Sequence, residues 1–206
     1  MERELLEQLN KEQLIDKLLK MNDDFVKLTS MRLYFLERNA YMHEQYGRRE
    51  SFEIVGIPKR IPDADLEDEV IDILKEANVK VDDEDITKKD ICAVHRIGKE
   101  KATTIVRVVN RKFSWKALIS GKNLKDSRRY GEGKIYINAS LCKEFQFLNF
   151  AVRQAKKKNL IHKYSVRSGV TYVQMTEGVD QWKEIGHYLD LENLGIPIPP
   201  RNNKNE

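Results

Sequence analysis

The sequence has few of the residues from which disulfide, metal or catalytic sites are built. Its 206 residues include two cysteines, Cys92 and Cys142, which lie far apart and outside any motif with metal-ligand spacing, so we expect neither a disulfide framework nor a metal site. The four histidines are scattered, and there is no glycine-rich phosphate loop and no nucleophile elbow. We therefore predict that the chain is not an enzyme and uses no cofactor.

Long apolar runs are absent as well. No stretch of about eighteen apolar residues occurs, and the first residues are charged with a helical period, unlike a signal peptide. The sequence thus predicts neither secretion nor membrane insertion. Together with the two unpaired cysteines, this indicates a reduced intracellular setting.

What the sequence does contain is a strong segregation of charge. Residues 1–49 are neutral, residues 50–87 carry four basic and thirteen acidic groups, and residues 88–167 carry twenty-one basic and five acidic groups. A basic block of this size that also reads as folded repels itself unless a polyanion binds there, and nucleic acid is the polyanion that we expect. The alternative is intramolecular, with the acidic block covering the basic one.

Residues 1–47 show the heptad pattern of a coiled coil. Residues 1–50 contain no proline, and the helix should end near Gly47. A second apolar register widens the stripe, which favours a homotrimer, with a dimer as second choice; the alternative is an amphipathic helix folded back on its own domain. The predicted seam consists of Leu14, Leu18, Met21, Phe25, Leu28, Arg32, Phe35, Asn39 and Met42, and the second register of Leu19, Val26, Leu33 and Leu36.

Residues 48–139 read as a small α/β sandwich. Apolar and β-branched runs predict four strands, with helices after the first and the third. The order strand, helix, strand, strand, helix, strand is the ferredoxin-like plan of RNA-recognition motifs, which leaves one sheet face open. Apart from Phe52, the two central strands lack the aromatic residues on which bases usually stack. Arg107 is either a paired exception in the core or points from the open face toward phosphate. We expect the second, because burial of an unpaired guanidinium is costly, and backbone binding is therefore favoured.

Residues 140–190 read as a small basic domain made of a helix and a hairpin. Arg153 and Lys157 share one helical face, and the strand before the Ser168-Gly169 turn carries Lys163, Tyr164 and Arg167. Basic groups interleaved with an aromatic residue are typical of surfaces that bind single strands. The alternative is a solvated basic helix with Tyr164 in the local core. Residues 191–206 read as a flexible tail, and the predicted fold class is α+β.

This order of coiled coil, RNA-recognition-like domain and basic C-terminal domain resembles the first-open-reading-frame proteins of LINE-type non-LTR retrotransposons. The resemblance runs from about residue 14 to 190 and is most specific at QYGRRESFEIVGIPK (45–59), HRIGK (95–99) and IVRVV (105–109). Residues 32–37 look like that family's trimer-directing pattern, with Arg32 and Glu37 flanking two apolar core positions. The chain departs from the family at Glu53, where a basic residue looks usual, and at Arg153 and Lys157, which lie a turn later than expected.

The resemblance implies a protein that coats the element's own RNA as a trimer and acts as a nucleic-acid chaperone in retrotransposition. The expected partners are RNA and single-stranded DNA, bound with low sequence specificity in a cytoplasmic ribonucleoprotein, with the nucleus left open as a second location. The rival interpretation is a coiled-coil adaptor whose degenerate RNA-recognition-like domain binds protein. Nucleic-acid contacts are implied for Arg49, Arg96, Arg107 and Lys122, and the same motifs add Arg48 and Lys99.

Overall fold

The computed structural model describes residues 11–98, 103–131 and 133–200. The chain divides into two compact units, Met1–Ala40 and Tyr41–Glu206. The predicted fold class is confirmed: the chain is α+β, with a long N-terminal helix and antiparallel sheets. Within the described ranges, no helix is both long and apolar enough to cross a membrane.

The N-terminal helix α1 extends from Lys11 to Tyr46 and contains neither glycine nor proline. Its apolar seam is open to solvent in the single chain from Leu18 to Phe35, whereas Met42 packs against the C-terminal hydrophobic core. Leu18, Phe25 and Leu28 are 58–67% exposed, and Leu14 is half-buried. Among residues 32–37, which resemble a trimer-directing pattern, Arg32, Leu33 and Leu36 are exposed and Glu37 is half-buried.

The second unit contains a four-stranded antiparallel sheet, which we call the main sheet. Its strands lie in the order β4 (Ile91–Ile97), β5 (Thr103–Val108), β1 (Ser51–Val55) and β6 (Tyr136–Ala139), and a short ribbon of two further strands stands apart from it. In chain order the elements are β1 (Ser51–Val55), α2 (Leu66–Glu76), β2 (Lys80–Val81), β3 (Glu84–Asp85), β4 (Ile91–Ile97), β5 (Thr103–Val108), α3 (Arg111–Ser120) and β6 (Tyr136–Ala139). The ribbon is formed by β2 and β3.

Both helices pack on one face of the main sheet. Phe52 and Ile54 on β1 and Val106 on β5 are fully buried there, together with Val70 of α2 and Ala117 of α3. Side chains alternate along a strand, so the residues between these point to the other face. That open face carries Ser51, Glu53, Val55, Thr103, Ile105 and Arg107 from the two central strands.

A second hydrophobic core holds the C-terminal elements together. Phe145, Leu148 and Val152 of the helix Lys143–Lys157 pack against Val173 and Ile185 of the C-terminal strands. The elements are α4 (Lys143–Lys157), β7 (Lys163–Arg167), β8 (Val170–Gln174), β9 (Lys183–Ile185) and α5 (Tyr188–Asn193), with the strands in the order β7-β8-β9. The predicted helix and hairpin are present, whereas β9 and α5 were not predicted.

The start of the predicted tail belongs to this second core. Ile196 is 2% exposed and packs in the core, and its backbone N–H donates to the Leu191 carbonyl at 2.9 Å. Burial of one more apolar side chain thus fixes the chain beyond α5. Residues 201–206 of the predicted tail lie outside the described ranges.

The end of α1 is tied to the C-terminal elements by one buried amide. Gln45 is 2% exposed; its Nε2 donates to the Ser140 carbonyl at 2.9 Å, and its Oε1 accepts from the Cys142 N–H at 2.8 Å. An added Cβ on Gly169 of the hairpin would lie 2.1 Å from that Nε2. One side chain therefore joins the helix end, the linker after β6 and the β7–β8 turn.

The acidic block covers part of the basic block. Arg129 contacts Glu69 at 2.6 Å and Asp72 at 3.1 Å on α2, and the hydrogen bond from Arg129 holds the pKa of Glu69 below its ordinary value. Burial and a hydrogen bond to Glu69 raise the pKa of Tyr130. Further ion pairs between the blocks are Arg96–Asp63, Lys112–Asp82 and Lys88–Asp68. The intramolecular alternative thus accounts for some of the basic groups.

Candidate nucleic-acid interface

Arg107 lies on the open face of the main sheet. Its side chain is 59% exposed, and its Nη2 lies 3.6 Å from Glu50 Oε2. Burial of an unpaired guanidinium among the valines of β5 would be costly, and strand alternation removes that cost by turning this side chain outward. Its contact with phosphate stays a prediction.

A cleft of about 580 Å³ separates the β6 side of the main sheet from α4 and β7; we call it the sheet–helix cleft. Arg153 and Tyr164, both predicted from the sequence to bind nucleic acid, line it together. Arg153 shares a face of α4 with Gln146, Asn149 and Phe150, because these positions repeat at three- and four-residue steps. Lys157, one turn beyond Arg153, is exposed. The opposite wall contains Glu53, Leu118, Ile137, Asn138, Ala139 and Leu141.

The junction between α1 and β1 lines a second cavity, of about 380 Å³, which we call the junction cavity. Arg48 and Arg49 enter it from the junction, as do Arg111 and Lys112 from the first turn of α3. The β7–β8 turn closes one side, and the indole of Trp115, 58% exposed, forms part of the wall. Four cations and one large aromatic ring thus surround a single space.

The cations of the junction cavity are only partly neutralised. Arg48 lies 3.3 Å from Glu44, and Lys112 lies 3.3 Å from Asp82. The Arg49 guanidinium stacks over Tyr46 at 4.5 Å, and its Nε is buried without a hydrogen-bond partner among the residues that the structure describes. For Arg111 no carboxylate of these residues lies within ion-pair distance. The cavity is therefore positively charged.

The two cavities adjoin, because Leu118 and Ala139 line both. Together they hold five basic side chains: Arg48, Arg49, Arg111, Lys112 and Arg153. Basic groups beside exposed aromatic rings are an arrangement that suits single-strand binding. This arrangement can neutralise successive phosphates while leaving ring faces for bases.

Arg96 requires a correction, since its predicted nucleic-acid contact does not fit its position. The side chain is 4% exposed and lies 3.3 Å from Asp63. Its guanidinium donates to the carbonyls of Ile57, Pro58 and Ile61 at 2.9–3.2 Å. Arg96 pairs with Thr104 across the strands and so shares the helix-covered face. Its donors hold the loop between β1 and α2, which leaves it out of the interface.

The two basic residues of β7 lie on the side of the strand opposite to Tyr164. Lys163 and Arg167 alternate with Tyr164 and Val166, and only the latter two line the sheet–helix cleft. The Arg167 guanidinium lies over the rings of Tyr172, at 5.5 Å, and Trp182, at 4.7 Å. The predicted set is thereby divided between two faces of the small sheet.

Of two other predicted residues, one lies apart from the cavities and one falls outside the described ranges. Lys122 is exposed in the turn after α3 and lines neither cavity. Lys99 falls outside the described ranges. These placements leave six predicted residues at or beside the open face, the sheet–helix cleft or the junction cavity: Arg48, Arg49, Arg107, Arg153, Lys157 and Tyr164.

Sequence reasoning missed Arg111, Lys112 and Trp115 as site residues. Asn110 caps α3 by accepting from the Lys112 N–H at 2.9 Å, and an Asn followed by Arg-Lys is readable as a helix start with an unusual positive charge. The position of this helix start beside Arg48 and Arg49 depends on tertiary packing. The sequence marks Glu53 as a departure from the family that it resembles, but its position inside the cleft also depends on tertiary packing.

The carboxyl group of Glu53 is the one acidic group among the residues that line the sheet–helix cleft. Burial raises the pKa of Glu53, while the nearby Ser140 hydroxyl and the charge of Arg48 act in the opposite direction. The half-buried carboxylate has the charge of Arg48 nearby but no close ion pair among the described residues. Its remaining lone pairs are available to an incoming donor.

The described residues contain no group of three or more His, Cys, Asp or Glu side chains that could hold a metal ion. No protein-family model matches the chain, and a comparison with curated proteins likewise finds no match.

Proposed function

We propose that this chain binds single-stranded nucleic acid, RNA in the first place, through phosphate contacts of low sequence specificity. The observation that carries the proposal is the adjoining pair of cavities, in which Arg153 and Tyr164 are followed by Arg48, Arg49 and Arg111. Arginines from three separate parts of the chain thus lie beside two adjoining cavities. Low specificity follows because phosphate contacts carry little sequence information.

The strand order supports assigning the main sheet to the RNA-recognition-like plan. A ferredoxin-like domain requires two central strands flanked by the second and fourth, all antiparallel, with both helices on one face. The order β4-β5-β1-β6 and the packing of α2 and α3 agree with this. Because the open face of β1 and β5 carries no aromatic side chain, we propose backbone contacts there instead of base stacking.

Self-association through α1 is the second part of the proposal. An apolar stripe this long and this exposed is rare on a monomer and is buried when helices form a coiled coil. We propose a parallel homotrimer, with the dimer as the second choice. By resemblance to the retrotransposon proteins described above, we propose membership of that family and a chaperone role in a ribonucleoprotein.

The test is the salt dependence of binding to a generic RNA strand. On single strands each neutralised phosphate contributes about −0.7 to the slope of log affinity against log salt. Replacing both Arg153 and Lys157 by alanine should flatten the slope by about 1.4 and weaken binding at low salt. Neither side chain has an ion pair within the described part of the chain, and alanine favours helix, so the melting temperature and native mass should not change.

The matched control replaces Lys75 and Lys89 by alanine. Both are exposed and line neither cavity, so this pair removes the same charge without touching either cavity. An equal flattening of the salt slope in both double variants would show that Arg153 and Lys157 form only a solvated basic face. If the unmodified chain binds no RNA at low salt, the adaptor interpretation replaces the proposal.

A further inference from the structure

The carboxylate of Glu53 occupies a place where a backbone-binding protein would be expected to have a cation. It projects from β1 on the open face, beside Asn138 on β6, with which it pairs across the strands. Both residues line the sheet–helix cleft together with Arg153. A negative group here lowers the affinity for phosphate, so the strand's backbone should keep to the Arg153 side.

The part of the sheet–helix cleft next to Glu53 repels a phosphate but can accept a base that presents hydrogen-bond donors. The cleft volume of about 580 Å³ falls within the range of about 300–1,000 Å³ that is usual for small-ligand pockets. Phe150 and Tyr164 are 49% and 37% exposed in its wall, and each offers a ring face for stacking. Unstacked bases are read in this way, on an aromatic ring with hydrogen bonds to the Watson–Crick edge.

The donor pattern of the bases decides which one suits a carboxylate. Guanine presents two adjacent donors on its Watson–Crick edge, N1–H and the N2 amino group, and these match the two oxygens of a carboxylate. Adenine and cytosine present one amino group next to an acceptor, and uracil presents one N–H between two acceptors. An acceptor facing a carboxylate is repelled.

We propose that the sheet–helix cleft is a pocket for one guanine base, with Glu53 accepting from N1–H and N2–H. The inference rests on the proposed nucleic-acid binding and adds one preferred base to a backbone-dominated interface. The amide of Asn138 beside Glu53 can supply a further hydrogen bond at the base edge. Burial raises the pKa of Glu53, so its charge is costly to the fold, as is common where a group serves binding.

The experiment measures the affinity of the full chain for oligo(U) strands about twelve nucleotides long, within the usual range of single-strand sites. The central residue is guanosine, inosine, adenosine or uridine. Guanosine should bind on the order of tenfold more tightly than uridine or adenosine, the discrimination of one bidentate base contact. Inosine lacks the 2-amino group and should fall between.

Glu53→Gln tests the assigned residue. The guanosine preference should disappear, while binding to plain oligo(U) should stay the same or tighten because a negative charge leaves the cleft. Glu84→Gln is the matched control: Glu84 is exposed on the β2–β3 ribbon and does not line the sheet–helix cleft, so the same charge change should leave the preference intact. Removing a costly buried charge should not weaken the fold, which thermal unfolding verifies.

The outcomes separate the two proposals. Equal binding of all four strands by the unmodified chain overturns the guanine pocket and leaves the nucleic-acid proposal intact, whereas binding to none of them overturns the proposed function itself. A guanosine preference that survives Glu53→Gln removes Glu53 from the pocket. The comparison of guanosine with inosine on the unmodified chain requires no variant, so the test does not depend on the folding of a mutant.

Discussion

Arg96 and Arg107 lie on neighbouring strands and have different surroundings because strand alternation turns them to opposite faces. Arg107 pairs with Ala93 and Ser51 on the open side, whereas Arg96 pairs with the buried Thr104. In the sequence both are arginines between apolar residues. A guanidinium on the covered face must find acceptors, and it finds them in loop carbonyls.

Replacing Arg96 by alanine should destabilise the second unit by about 2–3 kcal/mol, since three carbonyls lose hydrogen bonds from a charged donor. Urea unfolding followed by circular dichroism measures the change. The control is Arg60→Ala, in the same loop but exposed, which should cost about 0.5 kcal/mol or less. If both variants lose the same small amount, the loop does not depend on Arg96.

Glu69 gives the stability of the second unit a dependence on acid. Its folded pKa lies below the ordinary 4.5, so its contribution is complete above that value and is lost as pH falls through the folded pKa. The variant Glu69→Gln should therefore unfold more easily than the unmodified chain at pH 6, with the gap closing as pH falls below about 4.5. Thermal unfolding across this range measures the gap; a gap that widens in acid would contradict the assignment.

At the scale of elements, a helix or strand could be predicted from the sequence where its local pattern is strong. The long helix, the strand 103–108 and the hairpin were predictable because period and turn residues agree along many positions. The strand β9 and the helix α5 were missed because three and six residues hold too little periodicity. The cleft was not predictable, since it depends on how two separate cores meet.

The β7–β8 turn offers a direct test of the contact between Gly169 and Gln45. Gly169 has φ +81° and faces the Gln45 amide, whereas Gly178 has φ +77° and nothing within 4 Å of an added Cβ. Gly178→Ala should lower the free energy of unfolding by about 1 kcal/mol, because a side chain disfavours the left-handed backbone conformation. Alanine at Gly169 should cost about 3 kcal/mol, because the buried amide also loses its hydrogen bonds. Chemical unfolding of both variants measures the difference.

A double-mutant cycle identifies the cause of that difference. In a Gln45→Ala background the side chain that meets the added Cβ is gone, so Gly169→Ala should cost no more than Gly178→Ala. A cost at Gly169 that stays the same with and without Gln45 would place the strain in the hairpin alone.

At the scale of the whole molecule, the exposed seam of α1 predicts self-association. Light scattering on the unmodified chain should give about three times the single-chain mass of 24.2 kDa. Leu28→Asp places a charge on the seam and should yield single chains, with the unfolding of the second unit unchanged. Ser30→Asp adds the same charge at an outer heptad position and should remain assembled. A single-chain mass for the unmodified protein would contradict the trimer.

The amide of Gln45 also sets an order of events during synthesis. Ser140, which accepts its hydrogen bond, follows it by 95 residues, and ribosomes add about 5–20 residues per second. For roughly 5–20 s, therefore, α1 has left the ribosome while its end still lacks the segments that will enclose Gln45. Nascent helices on neighbouring ribosomes can meet in this interval, before the cavities beside that helix end exist. The proposed self-association would then join chains translated from one messenger before their second units are complete.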